Sequence, residues 1–178
     1  MDKIGQRVSS VKGKKIISVW ICMLLVLNVV CLTGCGAGKK WKDGKCTISI
    51  ECSSILDNME ALKETKKEFV PSDGWILKET EVSFKGGETA FDVLKQICGK
   101  KGIHMAFRYT PLYKSYYVEG INQLYEFDCG KNSGWMYSVN GEYPNYGASS
   151  YNLKDGDKVE WRYTCNLGSD VGDKYEGK

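Results

Sequence analysis

The chain has 178 residues, 42% of them apolar, with 25 basic and 22 acidic side chains; that length suits one compact domain. Residues 1–34 hold five of the basic and one of the acidic residues, so the rest of the chain carries 20 basic against 21 acidic side chains. A near-neutral balance excludes a nucleic-acid-binding surface, which needs a concentrated positive field.

At the N-terminus Lys3, Arg7, Lys12, Lys14 and Lys15 precede an apolar run from Ile16 to Leu32, followed by Thr33, Gly34 and Cys35. A basic start, an apolar middle and small residues before a cut site describe a secretory signal peptide over residues 1–34. Leu32-Thr33-Gly34-Cys35 also matches the bacterial lipobox, in which the Cys thiol takes a diacylglyceryl group and becomes the new N-terminus. Cys35 is thus the expected lipidation site. The alternative is an uncleaved anchor, for which the run is at the short limit. Either reading places the remainder of the chain outside the cytoplasm and holds it at the cell membrane. Residues 35–45 read as lipid anchor and tether, residues 46–168 as the domain, and residues 169–178 as a polar tail.

Cys46 to Cys52 alternates, with Ile48, Ile50 and Cys52 on one face, and reads as a half-buried strand. From Ser53 to Phe69 the apolar residues Ile55, Met59, Leu62 and Phe69 fall near helical spacing, with Ser53 or Ser54 as cap, which predicts a weaker helix. Trp75–Leu77 and Glu79–Phe84 read as two short strands. The firm helix is Ala90–Lys101: Thr89 and Asp92 approximate a capping box, an apolar stripe runs from Ala90 to Cys98, and Gly99 or Gly102 ends it. Strands are expected over His104–Tyr109, Tyr116–Ile121 and Leu124–Asp128. Trp135, Tyr137 and Val139 then alternate with polar neighbours up to Asn140-Gly141, the preferred pair for a tight hairpin turn, with Glu142–Tyr146 as the returning strand. Lys154-Asp155-Gly156-Asp157 makes a second turn before the alternating segment Val159–Cys165. The fold class is α+β: a small, mostly antiparallel sheet with one firm and one weaker helix.

A catalytic constellation is not visible, and the chain reads as a non-enzyme. Its single histidine, His104, lies near Cys98, but no third group orients a nucleophilic pair. No metal-ligand spacing appears, and Asp155 and Asp157 lack the length and acids of a calcium loop. Five cysteines lie beyond Cys35: Cys46, Cys52, Cys98, Cys129 and Cys165. Outside the cytoplasm such residues form disulfides, and an odd number leaves one thiol over. Pairing Cys46 with Cys165 is preferred, because first and last strands often lie side by side; all five reduced and buried is the competing reading.

Aromatic residues crowd the stretch from Tyr109 to Tyr163. Tyr and Trp join an apolar body to a polar tip, which suits partly wet binding surfaces. Trp135, Tyr137, Trp161 and Tyr163 read first as the buried face of paired strands, whereas Asn140, Tyr143, Asn145 and Tyr146 lie near turns, where binding groups concentrate.

Gly134-Trp135-Met136-Tyr137-Ser138-Val139-Asn140-Gly141, then Tyr143-Pro144-Asn145-Tyr146-Gly147, Tyr151, Lys154–Asp157 and Glu160–Tyr163, together with Glu88–Leu94, resemble the transcobalamin-like C-terminal domain family of Gram-positive surface lipoproteins. In the animal cobalamin carriers that gave the family its name, a small β-rich domain closes over one face of cobalamin and a larger helical barrel holds the other. The resemblance implies a cobalamin or related corrinoid ligand against the Trp135–Val139 strand. Trp135, Tyr137, Asn140, Tyr143, Tyr146 and Gly147 are its candidate ligand-binding residues. The chain has no room for the barrel, so a second surface protein would supply the other face. In the bacterial family a Cys often stands at the position of Ala148, which would leave Cys129 as the partner without a mate. The alternative is a surface module that binds protein or glycan and no corrinoid, through an exposed strand edge.

Overall fold

A computed structural model describes residues 40–173; the expected signal peptide and the lipid site Cys35 lie outside them. Seven strands form two sheets. The first, in the order β2-β1-β7-β6, holds β1 (Gly44–Glu51), β2 (Trp75–Phe84), β6 (Gly134–Val139) and β7 (Lys158–Thr164). The second, in the order β3-β4-β5, holds β3 (Met105–Thr110), β4 (Ser115–Ile121) and β5 (Leu124–Tyr125). The helices are α1 (Ser53–Leu56) and α2 (Ala90–Lys101).

The firm helix forms over the expected residues because local and tertiary signals agree. The Asp92 amide donates to Thr89 Oγ1 at 3.2 Å, and the Asp92 carboxylate accepts from the Thr89 amide at 2.9 Å. Ala90, Phe91, Val93, Leu94, Ile97 and Cys98 are all buried. Gly102 closes the helix at φ 69°, a left-handed conformation that costs glycine nothing. Phe91 carries the helix onto the second sheet, stacked 4.8 Å from Tyr116 and edge-on at 5.0 Å to Phe107.

The weaker helix breaks up. Only Ser53–Leu56 is α-helical, and a 3-10 segment covers Glu64–Phe69. Neither serine caps it: Ser54 donates to the Tyr163 carbonyl and Ser53 to Glu51, so both hydroxyls tie the segment to the sheet. Trp75–Phe84 is one strand rather than two, because irregularities in its pairing with β1 absorb the change of pattern near Lys78.

Every neighbouring pair of strands is antiparallel except β1 and β7. That exception removes the expected Cys46–Cys165 bridge. First and last strands do lie side by side, but Thr47 pairs with Lys158 and Glu51 with Arg162, so Cys46 and Cys165 sit at opposite ends of the ladder. The five cysteines among the described residues are thiols.

Asn140 and Gly141 adopt φ 54° and 83°, the tight turn that the pair favours. The returning strand does not form. After a single bridge between Val139 and Glu142 the chain peels away as a loop, and β6 takes β7 as its partner. Two features account for this. Pro144 lacks an N–H for a ladder, and Asn140 is committed to the β7 side, donating from Nδ2 to Asp157 at 2.9 Å and accepting from the Lys158 amide at 2.9 Å. Expected strands at the margins are shorter too: β5 ends at Tyr125, where the Tyr125 amide donates to Asp128 and starts a turn.

From Trp41 on, the described residues cluster as one unit. Trp41 lies over Gly86 and Gly87, Lys85 pairs with Asp43 at 2.7 Å, and Val171 is buried. No helix among the described residues is long and apolar enough to cross a membrane.

Candidate functional site

The loop that leaves β6 creates a cleft. One wall is β4 at Tyr116, Tyr117 and Val118; the opposite wall is β6 at Trp135, Met136 and Tyr137, with Trp161 of β7 behind it. The departing loop closes a third side with Tyr143, Pro144, Asn145 and Gly147. The cavity measures about 440 Å³. A second hollow of about 490 Å³ adjoins it across the same loop, bounded by Arg108, Tyr113 and Tyr146. Each lies within the size range of small-molecule sites.

β6 is the edge of its sheet, which gives the cleft a polar rail. The Asn140 amide donates to Lys158 of β7, whereas Val139 exchanges bonds with Glu142 on the outer side. An antiparallel ladder alternates, so Ser138 and Met136 bond to β7 while Tyr137 and Trp135 turn their backbone N–H and C=O groups to the free edge.

The side chains of that rail are fixed from behind. Trp135 packs edge-on to Tyr163 at 5.3 Å and its indole N–H donates to the Leu124 carbonyl at 2.8 Å. Tyr137 stacks on Trp161 at 5.5 Å, and its hydroxyl donates to the Tyr146 carbonyl at 2.8 Å, tying the strand to its own loop. Tyr143 donates to the Val171 carbonyl at 2.6 Å, which holds the loop against the end of the domain. Gly147 is required by contact: a Cβ there would come within 1.9 Å of Ser115 Oγ and 2.6 Å of Ser115 Cβ. Ser149 completes the seam, accepting from the Tyr116 amide at 2.9 Å.

Tyrosine hydroxyls line much of the cleft, with Asp173 at one side. Burial pushes the phenols of Tyr137 and Tyr143 above their ordinary range, and burial together with Glu126 does the same to Tyr117. Two cations adjoin the cleft: Arg108 lies 4.8 Å over the Tyr117 ring and is paired with Glu119 and Glu126, and Arg162 shares the Val171 carbonyl with the Tyr143 hydroxyl and is paired with Glu51. Elsewhere, burial pushes the Cys98 thiol up to about 12, and His104 faces the Tyr125 hydroxyl at 2.7 Å. No group of three or more metal-ligating side chains occurs among the described residues.

Of the six ligand-site residues expected from sequence, five line the paired hollows: Trp135, Tyr137, Tyr143, Tyr146 and Gly147. Asn140 does not, because its side chain is spent on Asp157 and Lys158. The β4 wall was not anticipated. Its one signal was the Tyr116-Tyr117 pair inside an aromatic-rich stretch, which periodicity alone assigns to a strand without saying what the strand faces.

A family model described as a domain of unknown function, DUF4430, matches residues 87–165. Among solved structures, haptocorrin in complex with Cbi is similar at TM-score 0.53 and 16% identity over 77% of this chain. The chain spans 29% of haptocorrin's length. A structure from Ruminococcus gnavus, whose stated metal-binding role is itself conjectural, is similar at TM-score 0.39 and 15% identity, covering 68% of this chain and 96% of that one. No curated protein matches. The fold is transcobalamin β-domain-like.

Proposed function

We propose that this domain is a lipid-anchored extracytoplasmic binding module that takes part in capturing cobalamin or a related corrinoid. The cleft between β4, β6 and the 143–147 loop is its site. The observation that carries the reading is the pairing of an aromatic-walled hollow with a free strand edge. A corrin ring offers apolar faces and a rim of amide side chains. Tyr116, Tyr117 and Tyr146 give it ring surfaces, and the outward backbone groups of Trp135 and Tyr137 match its amides in hydrogen bonding. The shared fold with part of haptocorrin supports the same assignment.

The chain matches only 29% of haptocorrin. In this reading a second surface protein covers the other face of the ligand. Cys35 supplies the membrane attachment, and the domain binds without catalysis. Extraction of the native protein from membranes tests this directly. A corrin absorbance band that travels with the protein and is lost on denaturation is the expected result; a colourless protein that also fails to take up added corrinoid contradicts it.

A second reading rests on the same strand edge. An open β6 accepts a partner strand by β-augmentation, in which case a surface protein or peptide, rather than a corrinoid, co-purifies.

A further inference from the structure

Among the five thiols beyond Cys35, two are neighbours. Cys129 lies in the turn between β5 and β6, buried, with its amide on Ser133 Oγ at 3.1 Å. Cys165 directly succeeds β7 and is partly exposed, with its amide on Asp170 at 2.7 Å. Both sulfurs rest on the same turn of chain: Cys129 Sγ is 3.5 Å from the Asn58 carbonyl, and Cys165 Sγ is 3.8 Å from Ser54 Oγ. Asn58 and Ser54 are themselves joined, the Asn58 side-chain amide donating to the Ser54 carbonyl at 2.8 Å, so the two sulfurs meet over one turn. Of the other three, Cys46 is at the far end of the β1–β7 ladder, Cys98 is buried on α2, and Cys52, at the start of α1, is fully buried.

We infer that Cys129 and Cys165 are a site of oxidative modification that closes into one disulfide, with Cys46, Cys52 and Cys98 left as buried thiols. The oxidant is a small-molecule or protein disulfide, RSSR, the class met outside the cytoplasm. The partly exposed Cys165 thiolate attacks one oxidant sulfur, forms a mixed disulfide and releases one RS⁻. The Cys129 thiolate then attacks the Cys165 sulfur and releases the second RS⁻. Each released thiolate takes up one of the two protons the cysteines lost, so the sum is two protein thiols plus RSSR giving one protein disulfide plus 2 RSH. Burial holds the Cys165 thiol up at about 12 and also raises Cys129, while the hydrogen bond from Cys165 pulls Cys129 back down. Two raised thiols make the reaction slow at neutral pH and faster as pH rises, and the greater exposure of Cys165 makes it the first to attack.

The bond would tie the turn between β5 and β6 to the end of β7. β5 belongs to the second sheet and β7 to the first, and the intervening turn already receives the Tyr163 hydroxyl at Tyr125 O (2.7 Å) and Ser133 Oγ (2.9 Å). Stapling them limits how far the sheets part. The inference concerns this chain's own sulfurs and stands whether or not the cleft takes a corrinoid.

The test uses the full chain in detergent, incubated with glutathione disulfide or with dithiothreitol, then denatured, alkylated and digested. The expected result is one cross-linked peptide pair containing Cys129 and Cys165, with Cys46, Cys52 and Cys98 alkylated. A melting temperature higher by about 5 °C in the oxidised sample, absent in Cys165→Ser and retained in Cys46→Ser, accompanies it. Alkylation of all five, a bridge between any other pair, or glutathione retained on Cys165 would overturn the inference. The peptide map is read on the unsubstituted chain, so a variant that fails to fold does not blunt the test.

Discussion

The two aromatic regions of this domain use the same residue types in opposite ways. On the inner face of β6 and β7, Trp135, Tyr137, Trp161 and Tyr163 are each at most 8% exposed. Three of those four spend their polar tips on carbonyls of neighbouring segments. Around the second sheet and the 143–147 loop, Tyr113, Tyr116 and Tyr146 are 73%, 40% and 49% exposed. The first set builds the scaffold and the second lines its rim. Aromatic density alone therefore does not mark a site; what marks it is where the buried set stops and the exposed set begins, which here is the free edge of β6.

Substitutions should separate the two sets. The largest effect belongs to the scaffold: Trp161→Ala removes a buried ring stacked on Tyr137 and should cost ~3–5 kcal/mol in denaturant unfolding. A loss under ~1 kcal/mol would mean that this ring is not in a packed core. Gly147→Ala comes next, at ~1–3 kcal/mol from overpacking against Ser115. Most of that loss should return in the double variant with Ser115→Gly, since the clashing atoms are then gone. Failure to recover would show that the loop does not cross β4 at that point. Tyr163→Phe keeps the ring and removes the hydroxyl that bonds Tyr125 O and Ser133 Oγ, costing ~1–3 kcal/mol by thermal or chemical melt. At the rim, Tyr113→Ala should shift stability by no more than ~0.5 kcal/mol. It should nonetheless weaken ligand binding about tenfold, equivalent to ~1.4 kcal/mol. A rim residue whose removal destabilises the fold but spares binding would collapse the distinction.

Local signals were legible in the sequence where they agreed with tertiary packing. The Thr89/Asp92 box, the α2 stripe and the Asn140-Gly141 turn each read correctly because a short stretch of chain decides them. The helix expected over Ser53–Phe69 failed because its serines bond to the sheet instead of capping. The Cys46–Cys165 pairing failed for a different reason: adjacency of β1 and β7 is compatible with either direction, and only the parallel register separates the two sulfurs. Most of the candidate site was legible through residue type and family resemblance, and the structure brings Trp135, Tyr137, Tyr143, Tyr146 and Gly147 to the cleft. Asn140 looked like a binding residue because exposed turn amides often are, yet its left-handed conformation and its bonds to the next strand make it a clamp. The β4 wall stayed hidden, since which strand faces a free edge is fixed by contacts distant in sequence.

The most direct measurement is a titration of the soluble domain beginning at residue 36 with cobalamin and with cobinamide, tracking tryptophan fluorescence and corrin absorbance together. Saturable binding at micromolar ligand or below, weakened about tenfold by Tyr146→Ala with an unchanged melting temperature, is the result expected of a rim that receives the ring. No binding up to millimolar ligand, or binding indifferent to the rim tyrosines, would contradict the account and leave the open edge of β6 as a surface for a protein partner.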